Sequence, residues 1–297
     1  MTLKTNHTPS CKGKENELFQ IHDLNRKVDL RKFRYLKCDS CGLIRLDNVP
    51  SNLGDYYPSD YYELPSLKQL SGIANANPFK IEIIKRFKEQ GNLLEIGPAY
   101  GVFALQAKNA GFDVDVIEMD ERCCEHLENI VGVNAVCSNI PHDILTTLPK
   151  HDVIALWHVI EHLSDPWSLI DSAAKNLKNN GILVIAAPNP DSWQFKVMRK
   201  WWPHVDAPRH LYLLPSKTLL KYAEQHGLEC IHYTTSDSDV RSWNRFGWQR
   251  FLMNRVSNKW LERICFVIGY FFSILVFPFE AFGNTGSAYT IVLKNSR

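Results

Sequence analysis

The stretch Asn92-Leu-Leu-Glu-Ile-Gly-Pro-Ala-Tyr-Gly-Val-Phe103 decides the fold of this chain. Its apolar start predicts a buried parallel strand, because a strand that is covered on both faces shows no polar alternation. A turn at Gly97-Pro98 follows, and past Gly101 the apolar residues recur at helical spacing. A strand, a tight glycine turn and a helix aim backbone N–H groups and the positive end of the helix at one point. The stretch therefore predicts a βα turn that binds a ligand.

The acid at the end of this strand indicates the kind of ligand. A dinucleotide site needs Gly-x-Gly-x-x-Gly, but Ala99 and Val102 stand where its second and third glycines belong. A phosphate-binding P-loop needs Gly-Lys-Ser/Thr, which the stretch lacks. Glu95 would repel a pyrophosphate and attract an ammonium group, such as that of the aminoacyl part of S-adenosylmethionine (SAM). An ordinary buried βα turn is the alternative that these residues leave open.

The composition is that of a globular protein with room for a large core. A chain of 297 residues suffices for one large or two modest domains, and its net charge of +2 gives no overall attraction to nucleic acid. The eight cysteines are scattered, and the first ten residues lack the apolar run of a signal peptide. We therefore predict a cytoplasmic protein without a nucleic-acid partner.

Residues 1–65 are predicted to form a small N-terminal segment that is similar to a zinc ribbon. Cys38-x-x-Cys41 matches one knuckle of such a fold, but Cys11 stands alone where a second pair belongs. Tetrahedral zinc needs four ligands, and His7 or His22 could complete the set although neither has the usual local spacing. A structural zinc on these three cysteines and a metal-free remnant of the fold both remain open. The tyrosine-rich loop 56–62 that follows is expected to pack against the next domain.

The next strand also ends on an acid. Glu118 lies 23 residues after Glu95, and a carboxylate at the end of a neighbouring parallel strand can accept both hydroxyls of a ribose. A helix N-cap is the alternative role for an acid at this place, and it fits Asp120 better than Glu118. A third, weaker strand ends just before Asn139, whose amide could bond an adenine edge.

A further strand ends on Trp157 and leads into His158-x-x-Glu161-His162. These side chains could flank a cofactor and accept a proton from an acceptor hydroxyl. One alternative is that Glu161 and His162 cap the following helix. Another is the His-x-x-Glu-His pattern of inverted zinc proteases, which needs both histidines on one helix face. Pro166 and the apolar strand place them on a loop instead, which disfavours a protease.

Strands that alternate with helices five times predict an α/β fold with a doubly wound, mostly parallel sheet. The motifs LLEIGPAYG, VIEMD, HDVIALWHVIEHLSDP, LKNNGILVIAAPN and DAPRHLYLLPSKTLLKYAEQHGLE together resemble the bacterial class I SAM-dependent methyltransferases. The resemblance is greatest to members that share Glu-His-Leu-x-Asp-Pro with ubiquinone-type O-methyltransferases. It covers about 75–295 and predicts a methyltransferase domain over 75–297. It implies a Rossmann-like sheet of seven strands whose last strand is antiparallel, with Leu228–Thr235 and Ala288–Leu293 as the closing pair.

The resemblance also implies SAM as cofactor. Its predicted contacts are Glu95, Gly97, Pro98, Ala99, Gly101, Glu118, Met119, Asn139, Ile140 and Trp157, and the predicted catalytic residues are His158, Glu161, His162 and His210. We expect methyl transfer to a hydroxyl of a small or lipid-linked acceptor, such as a sugar, a cell-envelope glycan or a quinone precursor. Ala99 replaces a glycine of the family and Asn139 replaces a frequent aspartate. These departures motivate the alternative of an inactive SAM-binding or membrane-docking protein.

Two insertions are predicted to meet the acceptor. Residues 193–215 follow the fifth strand, where this fold binds acceptors, with His210 as a second candidate base and Arg209 as a contact to an anion or diphosphate. The alternative for His210 is a hydrogen bond within this lid.

The second insertion, 236–286, combines a basic, aromatic part with an apolar part. Residues 241–263 carry six Arg or Lys and one Glu, and residues 264–279 carry no charge. A spanning helix needs about 20 apolar residues. We therefore expect 241–282 to contact the inner face of a membrane or a lipid-linked substrate. Burial against the domain, a homodimer contact and true spanning remain open.

Overall fold

The computed structural model describes residues 5–58 and 61–296. Residues 1–4, Ser59 and Asp60 of the tyrosine-rich loop, and Arg297 lie outside the described residues. The strands are β1 (Glu15–Ile21), β2 (Phe33–Cys38), β3 (Ile44–Leu46), β4 (Asn92–Ile96), β5 (Asp113–Glu118), β6 (Asn134–Cys137), β7 (His151–Trp157), β8 (Leu177–Pro188), β9 (Tyr212–Leu213), β10 (Leu228–Thr234) and β11 (Ala288–Asn295). The helices are α1 (Leu67–Ala76), α2 (Phe79–Lys85), α3 (Val102–Asn109), α4 (Glu121–His126), α5 (Pro141–Leu145), α6 (Pro166–Asn176), α7 (Trp193–Met198), α8 (Ser216–Gln225), α9 (Ser238–Met253) and α10 (Lys259–Ala281).

The main sheet has seven strands in the order β10-β11-β8-β7-β4-β5-β6. Neighbouring strands from β8 to β6 run parallel, whereas β11 is antiparallel to both β8 and β10. The predicted seven-stranded, mostly parallel sheet with an antiparallel last strand is therefore confirmed.

Apolar side chains on both faces explain why the central strands are parallel and buried. Along β7, Ile154 and Leu156 belong to one core, while Val153 and Ala155 belong to the core on the opposite face. A strand that is buried on both sides needs helices on both sides, which the crossovers of a parallel sheet supply. The carboxyl ends of β7, β4 and β5 consequently lie side by side at one edge of the sheet.

The helices that follow these strands start on their own capping residues. The Asp120 side chain accepts from the backbone N–H groups of Arg122 and Cys123 at the start of α4, so the capping role predicted for Asp120 is confirmed. The Asp165 side chain caps α6 by accepting from the Ser168 N–H. The alternative that Glu161 and His162 cap this helix is therefore wrong.

A second, four-stranded antiparallel sheet joins the N-terminal segment to the rest of the chain. Its order is β1-β2-β3-β9, so three N-terminal strands continue into a strand from the predicted lid. The Leu46 N–H donates to the Leu211 carbonyl (2.8 Å), and the Leu211 N–H donates to the Glu161 carbonyl (2.8 Å). This sheet thereby braces the turn after β7.

The insertion between β10 and β11 folds into two helices, α9 and α10, packed against each other. A Cβ at Gly269 of α10 would lie only 2.6 Å from the Gln249 Cα of α9, so the two backbones approach closely. Pro278 lies inside α10 without ending it.

Candidate active site

The turn between β4 and α3 has the tight geometry that its glycines predict. Gly97 and Gly101 have φ of 68° and 89°, in the left-handed region that favours glycine. A Cβ at Gly97 would lie 2.6 Å from Val159, which belongs to the turn after β7. Ala99 has φ of 52° although it carries a Cβ, so it adopts the glycine-like backbone of the residue that it replaces. Pro98 between them is buried.

Glu95 at the end of β4 is a buried acid with a spare acceptor. Its side chain is 3% exposed, and Oε2 has no hydrogen-bond partner among the described residues. Burial raises the pKa of Glu95 to about 8, although the nearby Lys80 acts in the opposite direction. An unpartnered buried carboxylate oxygen is costly unless a ligand satisfies it. An ammonium group would supply that partner.

Glu118 closes the other side of the turn. Its carboxylate accepts from the Ala99 N–H (2.9 Å), the Met119 N–H (2.7 Å) and the Asp120 N–H (3.0 Å). Burial still outweighs these bonds and raises the pKa of Glu118. The three bonds fix the carboxylate beside the glycine turn, where its remaining lone pairs can accept ribose hydroxyls.

Two exposed apolar side chains flank Glu118. Met119 is 61% exposed and Ile140 is 44% exposed, and they follow the neighbouring strands β5 and β6. A planar apolar base would cover both. Asn139 is also exposed at this edge, where its amide is free to meet a base.

Trp157 is buried in the core beside α2 and α3. Its ring packs edge-on against Phe79 and Phe103, and its buried Nε1 has no partner within residues 5–58 and 61–296. The Lys80 Nζ lies 5.1 Å from the centroid of the Trp157 ring. Lys80 therefore places a cation near Glu95. The sequence does not indicate this role, because the pattern of α2 is that of an ordinary amphipathic helix.

His158 is held in an unusual conformation after β7. Its φ is 58°, its Nε2 lies 2.6 Å from the Asp239 Oδ2, and its ring stacks on Trp243 with centroids 3.8 Å apart. Burial alone would lower the pKa of His158, but Asp239 and Glu161 outweigh it and raise the pKa to about 9. His158 is therefore a cation at neutral pH.

Glu161 is the centre of the cluster. It is fully buried, and neither carboxylate oxygen has a hydrogen-bond partner in the described part of the chain. Its Oε1 lies 3.7 Å from the His158 Nδ1 and 4.0 Å from the His210 Nε2. Burial would raise the pKa of Glu161, but the histidines around it lower the pKa instead. The carboxylate is thus ionised and available.

The other two histidines lie beside this carboxylate, and each already has a backbone contact at Nδ1. The Nδ1 of His210 lies 2.9 Å from the His204 carbonyl, and the Nδ1 of His162 lies 3.0 Å from the Arg209 carbonyl. Because a carbonyl only accepts, these contacts assign the proton to Nδ1 and leave Nε2 as the acceptor in each ring. Burial lowers the pKa of His162 to about 4, which keeps it neutral.

The prediction that Arg209 contacts an anion is wrong. Its guanidinium is 1% exposed and makes paired hydrogen bonds of 2.8–3.1 Å to Asp23 and 2.8–2.9 Å to Asp206. The ion cluster ties the lid to the N-terminal segment and leaves Arg209 no capacity for a ligand. His210 is compatible with both of its predicted roles, a hydrogen bond within the lid and a catalytic base. Its Nδ1 bonds the His204 carbonyl within the lid, and its Nε2 faces Glu161.

Two tyrosines of the loop 56–62 approach the site, Tyr57 at the histidine cluster and Tyr62 at the cofactor turn. The Tyr57 hydroxyl lies 3.1 Å from the His162 Nδ1, and the Tyr62 ring lies 6.4 Å from the ring of Tyr100 in the glycine turn. Burial raises the pKa of Tyr62, and the nearby Glu118 charge raises it further. Tyr57 and Tyr62 therefore contact residues of the predicted methyl-transfer site as well as linking the loop to the domain.

A second cluster lies in the N-terminal segment. The ligand atoms of His7, Cys11, Cys38 and Cys41 all lie within 4.8 Å of one another. The sulfur atoms of Cys11 and Cys38 are 3.8 Å apart, and the Cys41 sulfur is 3.6 Å from the His7 Nε2. Tetrahedral zinc with bonds of about 2.3 Å to sulfur and 2.0–2.1 Å to nitrogen requires separations of about 3.8 and 3.6 Å. The residues fit a structural zinc, for which His7 would be the fourth ligand.

The structure brings together the four residues predicted to be catalytic: His158, Glu161, His162 and His210. It adds Asp239 and Trp243 from α9 and Tyr57 from the N-terminal segment. These residues are far apart in the chain, from position 57 to position 243. No local sequence pattern therefore predicts that they lie together. An acid in the first turn of α9 was visible, but nothing marked His158 as its partner.

Comparison with protein families places most of this site in one domain. The model of the methyltransferase domain family matches residues 74–233. A curated relative, the ubiquinone biosynthesis O-methyltransferase of Hydrogenovibrio crunogenus, is 26% identical over 128 residues, covering 41% of this chain and 53% of that protein. The chain therefore spans about half the length of the curated relative that it matches.

A solved methyltransferase structure shows the same fold. Phosphoethanolamine N-methyltransferase 2 of Haemonchus contortus, in complex with S-adenosyl-L-methionine, aligns with a TM-score of 0.53 at 14% identity, covering 97% of this chain and 70% of that chain. A SAM-dependent methyltransferase from Archaeoglobus fulgidus aligns with a TM-score of 0.49 at 21% identity, covering 76% of this chain and 94% of that chain. At this identity the first likeness supports the architecture and leaves the acceptor open.

Proposed function

The chain belongs to the methyltransferase domain family and is a class I SAM-dependent methyltransferase, and from that premise we propose that it methylates a hydroxyl group of a small or lipid-linked acceptor. The observation that carries the proposal is Glu161, a buried carboxylate without a hydrogen-bond partner in the described residues, set between two imidazoles. A hydroxyl must lose a proton to become a nucleophile, and this cluster can accept one.

The cofactor cleft and the cluster adjoin each other. Val159, between His158 and Glu161, packs against Gly97 of the cofactor turn. We assign Glu95 and the glycine turn to the aminoacyl end of SAM, Glu118 to the ribose, and Met119 with Ile140 to the adenine. Lys80 is placed to meet the carboxylate of the aminoacyl end.

SAM supplies a methyl group on a sulfonium, and transfer to the acceptor oxygen breaks the carbon–sulfur bond as the carbon–oxygen bond forms. The chain aligns the acceptor and excludes water, which accounts for most of the rate in such a displacement. His210 takes the hydroxyl proton at Nε2, and Glu161 stabilises the resulting imidazolium. His158, held cationic by Asp239, keeps Glu161 ionised between turnovers.

The test is methyl transfer from labelled SAM to a panel of sugar, glycan and catechol hydroxyls, with and without lipid extract. Glu161→Gln should lower kcat by about a hundredfold or more with SAM affinity unchanged. Asp152→Asn is the matched control, because this acid lies near the amino end of β7, whereas Glu161 follows the carboxyl end of that strand. Wild-type turnover on amines but on no hydroxyl would contradict the proposal, and SAM binding without turnover on any acceptor would favour the inactive alternative.

For the N-terminal segment we propose a structural role with zinc. β3 pairs with β9, which begins two residues after His210, and the Tyr35 hydroxyl donates to the His210 carbonyl (2.8 Å). Zinc on His7, Cys11, Cys38 and Cys41 would stiffen the sheet that positions His210.

A further inference from the structure

Helix α10 is amphipathic in the reverse of the usual sense. Three of its four buried residues, Gly269, Ser273 and Glu280, are small or polar, and the fourth is Val276. Its outward face carries large apolar side chains that are 50–83% exposed, continuing just beyond the helix: Phe266, Phe271, Ile274, Leu275, Phe279 and Phe282. A helix of a water-soluble surface turns its apolar face to the core, so an apolar stripe turned outward marks a contact site.

The length of this helix alone is compatible with crossing a membrane. Lys259–Asn284 is apolar enough to span, with a mean hydropathy of 2.0 and only 22% of its most apolar window buried. The carboxyl end of the helix is nevertheless tied to the domain. The Glu280 Oε1 accepts from the Gln194 Nε2 and the Trp248 Nε1, each at 2.8 Å, and β11 re-enters the main sheet at Ala288. This anchoring favours a helix that lies along a surface rather than across it.

Two arginines lie at the border of the apolar stripe. Arg241 and Arg245 of α9 line a groove of about 360 Å³ between the two helices, together with Tyr270, Ile274 and Phe277. Their guanidinium carbons lie 4.8 Å from the Phe277 ring and 5.7 Å from the Tyr270 ring. Neither forms an ion pair with a carboxylate anywhere in residues 5–58 and 61–296. Cations beside an apolar stripe match the phosphate layer above the acyl chains of an anionic leaflet.

We infer that α10 docks flat on an anionic phospholipid leaflet, with its apolar stripe among the upper acyl chains and Arg241 and Arg245 on lipid phosphates. Charge complementarity selects this occupant over a second copy of the chain, because two such faces would bring like charges together. The docked face adjoins the cluster, since Ser238 lines the groove and Asp239 bonds His158. An acceptor held in the leaflet would then reach the cluster from the side on which α9 begins.

The test is sedimentation of the full chain with vesicles of phosphatidylcholine alone and of phosphatidylcholine mixed equally with phosphatidylglycerol. We expect firm binding to the mixed vesicles. The double variant Arg241→Gln/Arg245→Gln should bind them about thirtyfold more weakly, as about fivefold per cation predicts. Leu275→Ser/Phe279→Ser should lose binding to both kinds of vesicle.

Matched controls lie elsewhere on the surface. Lys217→Gln/Lys221→Gln on α8 removes two exposed cations, and Leu30→Ser/Val197→Ser removes two exposed apolar side chains. Both should bind like wild type. SAM binding by each variant reports folding and is independent of the docking. Absence of vesicle binding by a wild type that binds SAM would overturn the inference, as would a lipid-free dimer that Leu275→Ser/Phe279→Ser dissociates.

Discussion

The His158 Nε2 and the Asp239 Oδ2 lie 2.6 Å apart, joining the turn after β7 to the first turn of α9. The pair connects the proposed catalytic cluster to the proposed membrane-docking face. His158 flanks the cluster, and α9 carries Arg241 and Arg245 of the docking face. Asp239 touches neither the cofactor turn nor Glu161, so we regard it as a positioning residue.

Replacing Asp239 by Asn should shift the alkaline limb of the activity profile. The carboxylate helps to raise the pKa of His158 to about 9 against the opposing effect of burial. Without this carboxylate His158 loses its proton at lower pH and no longer offsets the burial of Glu161. Activity at pH 8.5 should therefore fall on the order of tenfold. The measurement is kcat against pH for both proteins, and superimposable profiles would contradict the role.

The same pair makes folding stability dependent on pH. A histidine whose pKa rises from 6.5 to about 9 on folding contributes stability that is complete below pH 6.5 and is lost as pH rises through 9. Wild type should therefore lose on the order of 3 kcal/mol of unfolding free energy over this window. Urea titrations at several pH values test this, with Asp239→Asn expected to lose less.

The N-terminal cluster should bind zinc. Metal analysis of the purified chain is expected to find one zinc per chain, with Cys38→Ser and His7→Ala each losing most of it. The melting temperature of these variants should fall by about 5 °C or more, because metal binding is linked to folding. Cys137→Ser and Cys230→Ser, which change exposed thiols, are the controls. Full zinc content in the His7 variant would remove that residue from the ligand set.

Gly97→Ala should destabilise the chain by about 1–3 kcal/mol. The new Cβ would meet Val159 at 2.6 Å, and φ of 68° disfavours any side chain. The matched change Gly72→Ala lies in α1 with nothing within 4 Å, so it should be neutral or stabilising. Urea unfolding of both variants distinguishes a strained turn from a tolerant one.

Features that depend on neighbouring residues could be predicted from the sequence. Uninterrupted apolar runs fix the central strands, and acids placed directly after them identify Glu95 and Glu118 as residues of one sheet edge. His158, Glu161 and His162 could be grouped because one short turn carries them.

Partners that are distant in the chain could not be predicted. The sequence predicts that Arg209 contacts a ligand. The actual partner of Arg209 is Asp23, which lies 186 positions earlier in the chain. His7 has no spacing typical of a zinc knuckle, because the fold rather than the local sequence brings it to Cys41. The predicted boundary at residue 65 divides two parts of the chain that share a sheet.

The most direct test of the account is calorimetric titration of SAM into wild type, Glu118→Ala and Glu121→Gln. Glu118 lies at the centre of the proposed cofactor cleft, whereas Glu121 is an exposed acid on the adjoining helix. We predict micromolar binding by wild type and Glu121→Gln, and binding about a hundredfold weaker by Glu118→Ala, which loses charged hydrogen bonds to the ribose. Equal affinity in all three proteins would place SAM outside this cleft and contradict the proposed site.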